Sequence, residues 1–214
     1  MPKLKPETEF ARRQHILDAA ERCFARGGFH ATTMQDICKE ASVSPGAVYV
    51  YFDSKEALIA GLCERDRAQL AERIERLAQS PDFLAALGAI GETYLVEDPA
   101  SRQRLILEMG LEASRNPRIA EIFFGTETYC SGSFREMFKR LKDQGRIDPS
   151  VDIATLTKVF NIIGDGLFWR RAIFPDFDVR DVLPVLTTLI GTLVRPVQTH
   201  EPAERGSEIA SIAR

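Results

Sequence analysis

The chain has 214 residues, of which 44% are hydrophobic, and this is enough apolar surface for one small and one larger domain. Its net charge of -3 does not indicate a nucleic-acid binder, so any positively charged footprint has to be local. It has no apolar run of about eighteen residues and no apolar signal peptide, so we expect a cytoplasmic protein without a membrane partner. The basic residues near its start are Lys3, Lys5, Arg12 and Arg13.

The first predicted helix covers residues 9–26 and ends at Gly27 and Gly28, since glycine is a common helix stop. A second, short helix is predicted to begin at Thr33, whose side chain can cap it, while Asp36 places a carboxylate in its first turn. Its buried face is predicted from apolar residues three and four positions apart, namely Met34, Ile37, Cys38 and Ala41.

A turn at residues 42–44 separates this helix from a third one. Ser44 is predicted to be its N-cap and Pro45 its first residue, where the missing N–H costs nothing. Gly46 and Ala47 leave the first turn almost bare of side chains, so the backbone there can approach a groove closely.

The third helix has one inner and one outer face. Val48 and Phe52, four positions apart, are predicted to face the core. The residues left on the outside are Tyr49, Val50 and Tyr51. A short helix, a tight turn and a second short helix with an exposed face are typical of a helix-turn-helix DNA reader.

At these positions the chain resembles the tetracycline-repressor (TetR) family of transcriptional regulators, over residues 11–58. The residues that carry the resemblance are Gly28, Phe29, Thr32, Thr33, Ile37, Ala41, Val43, Ser44, Tyr49, Phe52, Lys55, Glu56 and Leu58. The resemblance implies an all-α fold, in which a three-helix DNA-binding domain is joined by a long helix to a helical domain that binds a ligand and dimerises.

The resemblance also implies the roles of individual residues. Contacts with base edges are implied for Pro45, Gly46, Ala47 and Val50, and contacts with phosphates for Thr33, Ser44, Tyr49, Tyr51 and Lys55. The reading turn has no Arg, Asn or Gln that could pair with a base through two hydrogen bonds. We therefore expect apolar contacts with thymine methyl groups, recognition of DNA shape, or help from Gln35 and Lys39.

A long helix over residues 54–79 follows. Its apolar side consists of Leu58, Leu62, Leu70, Ile74 and Leu77. A solvated face is expected from Glu64, Arg65, Asp66, Arg67, Glu72, Arg73, Glu75 and Arg76. Five further helices are predicted over residues 82–96, 100–114, 118–143, 151–173 and 179–194. The predicted domains are residues 1–56 for DNA binding, 57–195 for effector binding and dimerisation, and 196–214 as a flexible tail.

The last two helices are apolar on more than one side, which indicates burial beyond one stripe. Gly164 and Gly166 would weaken an isolated helix, and the close approach of another backbone would explain them. A homodimer that buries these helices as a four-helix bundle meets both demands. The alternative is that they form the core of one protomer.

Members of the TetR family hold a small molecule among the first helices of the C-terminal domain. The candidates that this implies here are Tyr94, Glu108, Met109, Glu112, Phe123, Phe124, Tyr129, Phe160 and Trp169. Aromatic residues at helical spacing can also be plain core residues. Glu108 and Glu112, four positions apart, could meet a cationic effector or form a solvated helix face.

The cysteines and histidines form no recognisable metal or redox motif, because they are widely spaced and no cysteine pair is C-x-x-C. We predict no metal, no cofactor and no disulfide framework. Cys23 and Cys38 share faces with apolar residues and are interpreted as buried thiols, whereas a thiol-sensing role for Cys130 stays open.

The sequence therefore favours a homodimeric repressor that a small-molecule effector releases from a palindromic DNA operator. A DNA-binding regulator without an effector, or one recruited by a protein partner, would show the same N-terminal residues. No catalytic residues are predicted, because the sequence has no Gly-rich phosphate loop and no nucleophile elbow.

Overall fold

The computed structural model describes residues 6–97 and 99–197, and within those ranges the chain forms helices and no strand. The α-helices are α1 (Pro6–Ala31), α2 (Met34–Glu40), α3 (Pro45–Tyr49), α4 (Lys55–Gln79), α5 (Phe83–Glu92), α6 (Ala100–Ala113), α7 (Pro117–Asp143), α8 (Ile153–Ile173) and α9 (Leu183–Val194). The predicted all-α fold is confirmed. None of the described helices combines the length and the apolar character that crossing a bilayer requires.

Two of the predicted C-terminal helices are divided in the structure. The helix expected over 179–194 consists of a 3-10 turn, Val179–Asp181, and α9. Pro184 explains the break, because proline has no N–H to donate and is tolerated only in the first turn of a helix. The helix expected over 82–96 ends at Glu92 and continues as a π-helical turn, Thr93–Glu97.

A hydrophobic cluster holds the first three helices together. Its central residues include Ile16 and Phe24 of α1, Ile37 of α2, and Val48 and Phe52 around α3. The cluster continues without interruption into the C-terminal helices through Leu58, Leu62, Leu105, Met109, Ala113 and Ile119. The predicted domain boundary near residue 56 therefore falls within one continuous core.

A second cluster lies farther from α3 and joins the ends of α4, α5, α7, α8 and α9. Leu77, Phe83, Phe138 and Leu156 are among its buried residues. A bridge between Ile147 and Pro196 closes this end of the molecule. The predicted tail, residues 196–214, lies outside the described residues from 198 onward.

The charged side of α4 is only partly the solvated face that was expected. Arg65 donates to Asp18 at 2.7 Å and also bonds Glu21, and Asp66 forms an ion pair with Arg102. The expectation is wrong for Arg65 and Asp66, because α1 and α6 approach this part of α4. It is confirmed for the exposed residues Glu64, Glu72, Glu75 and Arg76.

Gly28 interrupts α1 where the sequence predicted a stop. Its backbone has φ 76° and ψ 170°, a conformation that residues with a Cβ rarely adopt. A Cβ at Gly28 would also lie 3.1 Å from each carboxylate oxygen of Glu108 on α6. Glycine is therefore required here both by the backbone angles and by the neighbouring side chain.

We expect Gly28→Ala to lower the free energy of unfolding by about 2 kcal/mol, because alanine is strained at this φ and crowds Glu108. Gly125→Ala is the matched control: Gly125 lies in α7, and a Cβ there would meet no atom within 4 Å. This control is expected to raise stability by about 0.8 kcal/mol through helix propensity. Urea denaturation measures both changes, and a Gly28→Ala protein as stable as the wild type would contradict this account.

Candidate DNA-binding interface and effector site

The start of α2 is fixed by a reciprocal pair of hydrogen bonds. The Asp36 N–H donates to the Thr33 hydroxyl oxygen at 3.2 Å, and the Thr33 N–H donates to the Asp36 carboxylate at 3.0 Å. The Thr33 hydroxyl also donates to the Asp36 carboxylate at 2.6 Å, and this bond, together with that from the Thr33 N–H, holds the pKa of Asp36 below its ordinary value. The predicted cap and buried face of α2 are confirmed, with Ile37, Cys38 and Ala41 buried. Gln35, one of the predicted DNA contacts, is exposed on this helix.

The turn between α2 and α3 is bound to the rest of the N-terminal unit. The His15 side chain hydrogen-bonds the Ala41 carbonyl through Nε2 at 2.8 Å. The Val43 N–H donates to the Cys38 carbonyl at 3.1 Å, and the Val43 side chain packs on the core. Ser42 takes a left-handed backbone conformation, with φ 53°. The position of α3 relative to α2 is therefore set by this turn.

The predicted start of α3 is also confirmed. The Ser44 hydroxyl accepts from the Ala47 N–H at 3.3 Å, and Pro45 is the first helical residue. Pro45 and Gly46 are exposed, and a Cβ on Gly46 would meet nothing within 4 Å. The backbone of this turn is therefore open to a large partner.

The two faces of α3 differ as expected, with one correction. Val48 and Phe52 are buried, whereas Tyr49 is 52% exposed and Val50 is 79% exposed. Tyr51, predicted to point outward, is instead half-buried against the core cluster. α3 ends at Tyr49, so the helical period no longer decides which way the later side chains point.

Lys55 has partners inside the protein. Its Nζ donates to the Phe29 carbonyl at 2.5 Å and to the His30 carbonyl at 3.4 Å, and it lies 4.5 Å from the centre of the Phe29 ring. It stands in the first turn of α4, which Ser54 caps by accepting from the Ala57 N–H. A phosphate bound by Lys55 would have to share this ammonium group with the protein backbone.

The local positive charge is smaller than the number of arginines suggests. Arg13 pairs with Glu64 at 2.7 Å, and Arg22 and Arg26 both pair with Glu40. Lys39, on α2, is exposed and forms no ion pair within the described ranges. The expected basic residues Lys3 and Lys5 lie outside the described residues.

Comparisons with known proteins agree with this geometry. The sequence model of the tetR family of bacterial regulatory proteins matches residues 16–62, from α1 into α4. The chain is 27% identical to the HTH-type transcriptional regulator UidR of Escherichia coli K12 over 154 residues, which are 69% of this chain and 74% of UidR. The structure of Salmonella enterica GusR superposes with a TM-score of 0.72 at 25% identity, over 90% of this chain and 98% of GusR.

The predicted resemblance to the TetR family is confirmed for residues 16–62, which contain the helix-turn-helix. The chain is a DNA-binding transcriptional regulator, as the helix-turn-helix residues predicted. Another structure of this fold is Bacillus subtilis FadR in complex with stearoyl-CoA, with a TM-score of 0.67 at 19% identity, over 83% of this chain and 96% of FadR.

The acidic pair on α6 binds the end of α1. The Glu108 carboxylate accepts from the Phe29 N–H at 2.8 Å. Glu112 is only 6% exposed and pairs with His30 at 2.9 Å and with Arg115 at 3.2 Å. The hydrogen bond from His30 lowers the pKa of Glu112. The interpretation of Glu112 as part of a solvated helix face is therefore wrong, because α6 packs along α1 at this point.

The other candidate effector residues are not gathered in one place. Met109 belongs to the first core cluster, and Phe123 packs on its edge, with its ring against Gly110. Phe160 stacks on Phe134 and Phe138, at ring-centre distances of 4.8 and 5.5 Å, in the second cluster. The candidates that lie largely on the surface are Phe124 and Trp169, which are 58% and 53% exposed.

Tyr94 and Tyr129 have neighbours that the sequence analysis missed. The guanidinium carbon of Arg73 lies 4.0 Å from the centre of the Tyr94 ring, and that of Arg67 lies 5.7 Å from the centre of the Tyr129 ring. The sequence could have shown that Arg73 faces inward, because it stands three residues after Leu70 on the apolar side of α4. Within the described ranges, no group of three His, Cys, Asp or Glu side chains could hold a metal ion.

The four thiols differ in burial. Cys23 and Cys38 are buried, as predicted. Burial raises the pKa of Cys130 to about 11, with the negative charge of Glu127 acting in the same direction. A thiol sensor reacts as the thiolate, so a raised pKa argues against that role for Cys130.

We expect iodoacetamide to alkylate Cys130 about 100-fold more slowly in the folded protein than in urea at pH 8, because a pKa near 11 lowers the thiolate fraction by that factor. The rate should still rise about tenfold per pH unit up to pH 10. Peptide mass spectrometry measures the rate at each cysteine. Equal rates in the folded and unfolded protein would show an accessible, ordinary thiol and reopen the sensing role.

Proposed function

We propose that this TetR-family regulator is a homodimeric repressor, and that a small-molecule effector releases it from a palindromic operator. The observation that carries the proposal is the outer surface of α3, where Tyr49 and Val50 are exposed while Val48 and Phe52 anchor the helix from behind. An exposed, rigidly backed short helix after a tight turn is the element that such proteins insert into the major groove. Because its target is chromosomal DNA, we expect it to act in the cytoplasm.

The proposed base contacts come from Pro45, Gly46, Ala47 and Val50. Val50 is an apolar side chain without a packing partner on most of its surface, so a thymine methyl group is a suitable neighbour for it. The open space around Gly46 permits close approach of the DNA backbone or bases. Gln35 and Lys39, both exposed on α2, are the proposed additional contacts.

The proposed phosphate contacts come from Thr33, Ser44, Tyr49, Tyr51 and Lys55. Thr33 and Ser44 are helix N-caps, so each places the positive end of a helix dipole next to a phosphate as well as a hydroxyl group. The Tyr49 hydroxyl has no hydrogen bond to another described residue and is free to donate. Contacts of this kind fix the protein on DNA without selecting a sequence.

The proposed dimer interface is the outer face of α8 and α9. Large apolar side chains are exposed there: Ile162, Trp169, Ile173, Val185 and Leu189. A Cβ at Gly164 or Gly166 would meet no atom of the same protomer within 4 Å, so a second backbone has room to approach. An exposed apolar face of this kind marks an interaction surface, and two-fold pairing of both helices gives a four-helix bundle. It would also present two copies of α3 to a palindrome.

The proposed effector region lies among α4, α7 and the π-helical turn, where Tyr94 and Tyr129 stand. We propose a route from there to the DNA-binding unit through α6. Glu108 and Glu112 bind the backbone of Phe29 and the side chain of His30, so a shift of α6 would carry residues 28–30 with it. A coupling of about 1 to 3 kcal/mol between two such sites is typical of allosteric proteins.

We expect Tyr49→Phe to weaken binding to operator and to random duplex DNA alike, by about tenfold, because it removes one hydrogen bond to a charged phosphate. The melting temperature should not change, since the hydroxyl bonds no other described residue. Fluorescence anisotropy with labelled duplexes measures the affinities. Tyr129→Phe on α7 removes the same hydroxyl far along the chain and is the control. An equal loss in both variants would contradict a direct contact by Tyr49.

We expect Ile162→Arg to raise the dimer dissociation constant at least about 100-fold, because an unpaired charge is costly in an apolar interface. Ile162 is 69% exposed in the protomer, so the substitution leaves the folded subunit intact. Leu111→Arg, at a position on α6 that is 62% exposed, is the matched control and should leave the dimer unchanged. Analytical ultracentrifugation measures the assembly. A monomeric wild type, or an Ile162→Arg protein that stays dimeric, would refute the proposed interface.

A further inference from the structure

The inward side of α4 carries charges at positions where a helix of this kind normally has apolar residues. Leu62, Leu70 and Leu77 are the apolar residues on this side. Residues on the same side of a helix follow one another at intervals of three or four positions. On the same side, Asp66 lies between Leu62 and Leu70, and Arg73 lies between Leu70 and Leu77. These two charges therefore point into the C-terminal domain, and a purely structural helix would gain by replacing them with apolar side chains.

Arg65 and Asp66 of α4 have ion-pair partners, whereas Arg67 and Arg73 of the same helix have none among the described residues. Asp66 pairs with Arg102, and Arg65 is held by Asp18 and Glu21 of α1. By contrast, Arg67 and Arg73 form no ion pair with any described residue. In addition, Arg65 Nε, Arg67 Nε and Arg73 Nη1 are buried and have no hydrogen-bond partner in the described part of the chain. Within the described ranges, only Arg65 of these three has its other guanidinium nitrogens in ion pairs.

Aromatic rings hold both guanidinium groups in place. Arg73 lies over Tyr94 at 4.0 Å, and Arg67 lies over Tyr129 at 5.7 Å. Burial raises the pKa of Tyr94, although the positive charge of Arg73 and a hydrogen bond from its side chain act in the opposite direction. A guanidinium stacked on a ring keeps the N–H groups along its planar edge available, and that edge matches the oxygens of a carboxylate or a phosphate.

We propose that Arg67 and Arg73 bind the anionic group of the effector, a carboxylate or a phosphate, between α4, α7 and the π-helical turn. This inference rests on the proposed effector control and specifies the class of ligand. The two Cα positions are separated by about 9 Å along α4 and by about 120° around its axis, so the two long side chains would reach one ligand from different sides. The bound oxyanion would supply the hydrogen-bond acceptors that the buried N–H groups lack, and Tyr94 and Tyr129 would contact its apolar part.

The test compares four probes that share a phenyl group: 4-phenylbutyrate, phenyl phosphate, 4-phenylbutanol and 4-phenylbutylamine. Each is added to the full-length wild type, to the double variant Arg67→Gln with Arg73→Gln, and to Arg76→Gln. Arg76 is an exposed residue of the same helix, so the last variant controls for the loss of a surface charge. Melting temperature and calorimetric affinity are measured, and the two anions distinguish a carboxylate from a phosphate ligand.

We expect at least one of the two anions to raise the melting temperature of the wild type and of Arg76→Gln by about 2 °C or more. The alcohol and the amine should not do so, and the double variant should bind the anion at least tenfold more weakly. The inference is overturned if neither anion stabilises the wild type, if the alcohol or the amine acts as strongly as the anions, or if the double variant keeps the wild-type affinity.

A measurement without any ligand separates this role from simple packing. We expect Arg73→Met to melt at the same temperature as the wild type or higher, since it removes a buried N–H group without an acceptor. A melting temperature lower by several degrees would show that the arginine stabilises the fold, and would overturn the inference.

DNA binding is measured in parallel, so that the two proposals fail separately. If an anion binds through the two arginines but the wild type ignores all inverted-repeat duplexes, the repressor proposal fails and the anion site stands. If an uncharged compound releases the wild type from DNA while no anion binds at Arg67 and Arg73, the repressor proposal stands and the anion inference fails.

Discussion

The structure depends on how three elements hold Phe29. Its N–H donates to Glu108 of α6, its carbonyl accepts from Lys55 of α4, and its ring is buried beside Phe24 of α1. Gly28 makes this possible, because its positive φ turns the backbone out of α1 and exposes the next N–H to α6. The amide, the carbonyl and the ring of Phe29 are each bound by a different helix. Phe29 therefore cannot move independently of these three helices.

This arrangement explains why the DNA-binding unit is not a separate body. The hydrophobic cluster behind α3 runs on into α6 and α7, and the carboxylates of α6 are directed at the end of α1. Buried carboxylates are costly unless they are paired and hydrogen-bonded, so Glu112 is stable only while His30 and Arg115 stay beside it. A change in the position of α6 would therefore move residues 28–30, and we propose that the helix-turn-helix would follow.

A DNA-binding protein with a net charge of -3 is expected to carry unpaired positive charge close to its DNA-binding helix. This chain does not follow that expectation. Around α1 and α2, the arginines Arg13, Arg22 and Arg26 are matched by glutamates, and the surface of α3 has no charged side chain. Among the described residues, the buried guanidinium nitrogens without a hydrogen-bond partner lie instead on α4, at Arg65, Arg67 and Arg73. The DNA contacts that we propose therefore come mainly from shape, hydroxyl groups and apolar side chains, with Lys39 and Lys55 as the proposed basic contacts.

The sequence by itself determined the features that depend on neighbouring residues. The caps at Thr33 and Ser44, the interruption of α1 at Gly28 and the inward side of α2 follow from interactions within a few positions of the chain, and the structure has them. Only the tertiary structure decided that Tyr51 is half-buried, that Glu112 is buried against His30, and which arginines of α4 have partners. Periodicity shows which side of a helix faces inward, but it does not show which distant side chain will stand opposite, and the fate of a charged group depends on that neighbour.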